Sequence, residues 1–164
     1  MADLVRITPC LWFDRDAEAA ARFYVSIFDG EMGGGADYPE SDFPAHAGRE
    51  GTPMVVTFRI GGVEFTALNG GPQFTHSPAI SFQVHCADQA EIDRYWERLS
   101  EGGDPDAQRC GWLKDRFGVS WQVAPRDMGR LMGGDDPARA ARVMRALLPM
   151  TKLDLAALEA AWAG

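Results

Sequence analysis

The chain is poor in the residues that most often carry chemistry: it has three histidines and three cysteines in 164 residues. Cys10, Cys86 and Cys110 are odd in number and lie far apart without CxxC spacing, which fits reduced thiols packed into the fold better than a disulfide framework or a zinc site. His46 and His76 fall in expected loops, so the histidines form no spaced ligand cluster. No stretch approaches the roughly 20 apolar residues that span a bilayer, so no membrane segment is expected. Met1 to Arg6 lacks a basic and then apolar leader pattern, and a cytoplasmic location is the expectation. Positive charge is also scarce, with 16 Lys and Arg against 24 Asp and Glu and a net charge of −8. That balance argues against a nucleic-acid partner, which needs clustered cations, and leaves room for a cationic guest.

What is present is an imperfect repeat of about 72 residues. Asp16 precedes Ala20, Phe23, Tyr24 and Ile27, one apolar helical stripe that stops at Asp29-Gly30. Asp88 precedes Ile92, Tyr95, Trp96 and Leu99 at the same spacing, with Glu91 placed as a capping-box acid and Gly102-Gly103 as the stop. Alternating strands lead into both helices, Thr8 to Phe13 and Ile80 to His85. Further strands run from Met54 to Ile60, Val63 to Leu68, Trp112 to Lys114 and Val119 to Ala124, the first two joined by a Gly61-Gly62 hairpin.

The module ends correspond at a smaller displacement of about 56, Gly62-Val63-Glu64-Phe65-Thr66 matching Gly118-Val119-Ser120-Trp121-Gln122, so the first module carries about 16 extra residues. Gly33 to Gly51 has the Gly, Pro and Asp content of a long mobile loop, whether a flap, a dimer contact or an inert insertion. Past Arg126 the pattern turns helical, with Asp136-Pro137 as a start signal and stripes at Val143, Met144, Leu147, Leu148 and then Leu155, Leu158, Trp162. Arg139, Arg142 and Arg145 are expected on the solvated face opposite.

The expected fold class is therefore α+β: two tandem βαβββ modules forming curved mixed sheets around a cleft, plus C-terminal helices. The expected domains are 1–128, with modules at about 5–72 and 78–126, and a helical extension at 129–164.

Two βαβββ copies resemble the plan of the glyoxalase, bleomycin-resistance and dioxygenase proteins, the vicinal-oxygen-chelate superfamily. Ile7 to Asp14, Ala67 to Pro72, the long string Cys110 to Val123 and the tail strings Val143 to Leu148 and Leu153 to Leu158 are similar to its PhnB-like branch, often labelled 3-demethylubiquinone-9 3-methyltransferase-like. The resemblance implies a homodimer and a small organic ligand. In the superfamily a divalent ion is held from the first and last strands of each module. Here those positions fall on Pro9, on Ala79 or Ser81 depending on register, on Thr66 and on Gln122, so no cofactor is expected, with a divalent metal not excluded. The ligand-binding candidates are Glu64, Thr66, Gln83, His85, Trp112 and Gln122, with no catalytic residue assigned. Trp12 and Trp121 have the parity of helix-facing core positions. The methyltransferase label finds no support in the residues: Gly33-Gly34-Gly35 follows a helix and opens none, unlike a nucleotide-binding glycine turn. Two readings stay open, a metal-free small-molecule-binding protein and an enzyme of lyase, isomerase or dioxygenase type with an unusual or metal-free site.

Overall fold

In the computed structural model, which describes residues 7–44, 46–133 and 136–164, both repeats are present. The start of the chain, and with it the leader reading and the first module's boundary near residue 5, lies outside the described residues. The chain divides into two compact units, Met1–Thr75 and His76–Gly164.

In the first unit, β1 (Cys10–Phe13) leads into α1 (Ala17–Phe28), followed by β2 (Glu31–Asp37), β3 (Pro53–Ile60) and β4 (Val63–Asn69). The strands form one mixed sheet in the order β1-β4-β3-β2, with β1 parallel to β4 and the other pairs antiparallel. Helix α1 buries Ala17, Ala20, Ala21, Tyr24 and Ile27 against β3 and β4. The Tyr24 ring meets Phe58 at 5.9 Å, and Phe58 stacks on Phe65 at 5.2 Å. Each such apolar side chain removed from water contributes about 1.5–3 kcal/mol. The helix stops where Asp29 adopts a left-handed φ of 51°.

The expected mobile loop at 33–51 needs correction. Gly33-Gly34-Gly35 lies in β2, which is bulged against β3 between Met32 and Gly35. Glycine is a poor strand former, but a Cβ at Gly33 would stand 2.2 Å from Thr57 Oγ1 and one at Gly35 2.3 Å from Val55 O. Close backbone approach at the bulge, and not chain freedom, is what the run provides. The rest of the insertion is tied at its base, Tyr38 N donating to Thr52 O at 2.9 Å and Gly51 N to Tyr38 O at 3.0 Å.

The second unit repeats the order with β5 (Phe82–Cys86), α2 (Gln89–Ser100), β6 (Asp104–Arg109), β7 (Trp112–Lys114) and β8 (Ser120–Pro125), and its sheet runs β5-β8-β7-β6. The helix start is capped nearly as a capping box: Asp88 accepts from Glu91 N at 2.9 Å, while the Glu91 carboxylate reaches one residue further back and accepts from Ala87 N at 2.7 Å. Ile92, Trp96 and Leu99 are buried. The β7–β8 turn is organised by the buried Asp115, which accepts from Phe117 N (2.8 Å), Val119 N (3.0 Å) and Trp121 Nε1 (2.8 Å).

Helices α3 (Met128–Met132), α4 (Pro137–Leu147) and α5 (Leu155–Ala163) belong to this unit and enclose Leu131, Val143, Leu147, Leu153 and Leu158. Asp136 caps α4 by accepting from Ala138 N and Arg139 N, and Asp154 caps α5 through Ala157 N. The expectation of a merely solvated arginine face is corrected for two of the three. Arg142 donates to Ala161 O and Trp162 O at the end of α5, and the Arg139 guanidinium lies 4.3 Å from the Trp162 ring. The extension is fastened to the module by Cys110 N to Met150 O, Gly111 N to Thr151 O and the Gln89 side chain, which bridges Leu153 O and Leu155 N.

Candidate sheet-face site

A sheet covered by helices on one face turns alternate side chains away from them. In the second unit the helix side takes Leu113, Trp121, Val123 and Cys86, all buried. The opposite face therefore carries Gln83 and His85 from β5, Gln122 from β8 and Trp112 from β7. Gln83 and Gln122 are register partners, as are Trp112 and Gln122, so these three side chains stand in one row across the sheet. Gln83 Nε2 donates to Gln122 Oε1 at 3.2 Å, and Gln122 Nε2 donates to Ser81 Oγ at 2.8 Å. A hydroxyl and two carboxamides thus form a short chain, neutral throughout, with a half-buried indole at its end. His85 lies on the same face, two positions along β5 from Gln83 and opposite Ala124. It is exposed and makes no hydrogen bond among the described residues.

The equivalent face of the first unit is different in chemistry. Glu64 is held by Arg59 at 3.0 Å, two neighbours across the β3–β4 pair. Thr66 faces Thr57, whose hydroxyl donates to Gly34 O at 2.9 Å. Thr66 N donates to Pro9 O at 2.9 Å, fixing Pro9 beside Thr66 just as Ser81 is fixed beside Gln122. Of the two registers left open for the second module's first strand, Ser81 is the one whose side chain meets Gln122.

The six candidate residues therefore divide. Gln83, Gln122 and Trp112 are brought together in the second unit with His85 beside them, and Glu64 and Thr66 lie on the first unit's sheet. Trp121 is on the helix side as its parity indicated, but Trp12 is not. Leu11 and Phe13 are the buried pair on β1, and Trp12 stands on the other face, edge-on to Phe74 at 5.0 Å with Nε1 donating to Gly71 O. Its indole lies over Gly70, where a Cβ would approach the ring to 2.1 Å. Of the thiols only Cys86 is buried, and burial pushes it up to about 11, whereas Cys10 is exposed and Cys110 half-buried.

Sequence reasoning passed over Ser81 as a poor metal ligand when its role is to hold Gln122. It also passed over Tyr38, Arg49 and Asn69. The Asn69 side chain accepts from Ala17 N and donates to Pro53 O, both at 2.8 Å, while its backbone carbonyl takes the Tyr38 hydroxyl and Arg49 Nη1. An asparagine at a strand end before Gly70-Gly71 was the available signal.

Comparison with known proteins places this arrangement. The sequence profile of the family described as 3-demethylubiquinone-9 3-methyltransferase matches residues 5–124. A Bacillus cereus protein titled a putative 3-demethylubiquinone-9 3-methyltransferase, PhnB protein, is 36% identical, with 74% of this chain and 99% of that one covered and a TM-score of 0.61. A Pseudomonas aeruginosa protein is 23% identical over 74% of this chain and 98% of its own, with a TM-score of 0.59. The fosfomycin resistance protein FosX from Mesorhizobium loti is 20% identical over 75% of this chain and 91% of its own, with a TM-score of 0.50. The latter two likenesses concern the fold alone. No curated protein matches the chain.

Proposed function

The chain belongs to the PhnB-like family named for 3-demethylubiquinone-9 3-methyltransferase, within the vicinal-oxygen-chelate superfamily, and from that premise we propose that it binds a small organic molecule on the open sheet face of its second module without a divalent ion. The observation that carries the reading is the Ser81–Gln122–Gln83 chain beside Trp112. Carboxamides and a hydroxyl offer neutral donors and acceptors, and an indole offers a flat apolar surface, which together suit a planar molecule bearing a carbonyl or hydroxyl. The metal-free part is supported by the donors at the four superfamily positions. Pro9 has none, Ser81 and Thr66 offer hydroxyls, and the amide oxygen of Gln122 already accepts from Gln83. A divalent ion favours carboxylate or imidazole ligands, and this set does not fit one.

Methyl transfer is only the family's name. Donor-binding folds of the common type require a parallel sheet with a glycine turn opening a helix, and neither mixed sheet has one. The net charge of −8 keeps nucleic acid outside the reading, and among the described residues no helix is long and apolar enough to cross a membrane. Association of two copies is part of the proposal. The enzyme reading rests on His85, exposed on the same face and free to exchange a proton with a ligand held by Gln83 and Gln122.

The test is titration of chelator-treated protein with a panel of planar aromatic carbonyl and phenol compounds, followed by tryptophan fluorescence and calorimetry. Gln122→Ala and Trp112→Ala are each expected to weaken binding about tenfold while leaving the fold intact. Ligands whose affinity neither substitution alters contradict the assignment. Sedimentation is expected to show two copies, and product formation lost in His85→Ala would establish the enzyme reading.

A further inference from the structure

The two modules share one corner, where the first and last strands end and the helix begins, and they build it from opposite chemistry. In the second module the corner residues are Cys86, Ala87, Ala90 and Pro125, with Cys86 and Pro125 buried, and the C-terminal extension is tied to the start of the helix through Gln89, which bonds Leu153 O and Leu155 N. The corresponding residues of the first module are Asp14, Arg15, Glu18 and Asn69, and the insertion adds Tyr38 and Arg49. There the corner is not filled: a cavity of about 370 Å³ lies among these six side chains. The sister module shows that the fold does not require polar groups at this place, and the volume is within the range of small-molecule sites, about 300–1,000 Å³.

The charges in the cavity are loosely paired, within ion-pair distance but not hydrogen-bonded to one another. Arg49 is held from behind, with Nη1 donating to the Tyr38 hydroxyl at 3.0 Å and to Asn69 O at 3.3 Å, and its side chain is 21% exposed. Its other edge, Nη2, is 3.8 Å from the Asp14 carboxylate, beyond hydrogen-bond distance. The same Asp14 oxygen, Oδ1, has Arg15 Nε at 3.9 Å, and Asp14 accepts no hydrogen bond among the described residues. Glu18 gives one oxygen to Arg22 and has the other open. Two carboxylates and two guanidinium groups thus line one space, each with unused capacity toward it. A simple anion would meet Asp14 and Glu18, and a simple cation would meet Arg15 and Arg49. A ligand carrying both signs meets both kinds of charge.

We propose that this corner of the first module is a second binding site, independent of the sheet face, for a small zwitterion of the amino-acid class, its carboxylate on Arg49 and its ammonium on Asp14 and Glu18. The experiment is calorimetric titration of the full chain with the standard L-amino acids, and with the N-acetyl and carboxamide derivatives of any that bind. Saturable binding by at least one amino acid is expected, with each derivative lacking one charge weakened about tenfold or more. Asp14→Asn removes a charge that holds no hydrogen bond, so the fold survives, and binding is expected to fall by a similar factor. Gln122→Ala, on the other module, is expected to leave it unchanged. The proposal is overturned by no binding at millimolar concentration, by equal binding of a derivative, by full affinity in Asp14→Asn, or by loss in Gln122→Ala. None of these outcomes bears on the sheet-face reading, which is judged by its own aromatic panel.

Discussion

The two modules have the same element order and the same helix length, yet one grew by insertion between its second and third strands and the other by extension at its end. Each addition reaches the same corner of its own module. Residues 38–52 reach it with Tyr38 and Arg49, and residues 128–163 reach it with an apolar cluster fastened through Gln89. The lesson is that a repeated unit fixes where an addition can dock, while the side chains of the addition decide whether the place becomes core or cavity.

That contrast can be broken in order of effect. Leu158→Ala, truncating a fully buried side chain of the extension, is expected to cost about 2–5 kcal/mol in denaturant unfolding. Phe43→Ala, truncating the large exposed side chain of the insertion, is expected to stay within about 0.5 kcal/mol. Equal losses would mean that both additions are core. Next comes Asn69→Ala, which leaves Ala17 N and Pro53 O without their partner in a buried setting and is expected to cost about 2–3 kcal/mol. Gln89→Ala, at the helix start that matches Ala17 in the second module, removes its bonds to Leu153 O and Leu155 N in a more open place, and about 1 kcal/mol is expected.

The smallest effect is a pH effect. Hydrogen bonds from Lys152 and Gln89 hold the Asp93 carboxyl below its ordinary value. A depressed folded-state value means that its stabilisation is present above the ordinary carboxylate range and is lost as pH falls through the lowered one. Asp93→Asn is expected to lower the neutral plateau slightly and flatten the acid limb, the two stability curves converging at low pH. An unchanged acid limb would show that this tie between α2 and the extension contributes nothing.

Most of the fold was legible because it is periodic. The helices at 17–28 and 89–100 lie where Asp16, Asp88 and the apolar stripes put them, and Asp136-Pro137 marks α4. Two strands that the βαβββ order requires could not be located in the sequence, for physical reasons: β2 is carried by a glycine run whose backbone must approach β3 closely, and β6, with Asp104, Asp106 and Arg109, is a mostly exposed edge strand without an apolar face. Parity found Gln83, His85 and Gln122 on one face but misjudged Trp12, because a large aromatic was taken as core when Leu11 and Phe13 already filled the helix side. Asn69 was signalled only by its place before Gly70-Gly71, and Tyr38 and Arg49 were invisible to pattern reading, since their meeting with it is a matter of tertiary contact across the insertion.

The claim at the centre of this account is that the sheet face binds without a divalent ion, and the melting temperature of chelator-stripped protein with and without Mn²⁺, Fe²⁺, Ni²⁺ and Zn²⁺ tests it most directly. An ion at about 100 times its dissociation constant would add about 2.7 kcal/mol to the folded state. The expected result is no saturable rise with any of the four. A saturable rise with one of them, abolished by Gln122→Ala, would contradict the claim and place a metal at that residue.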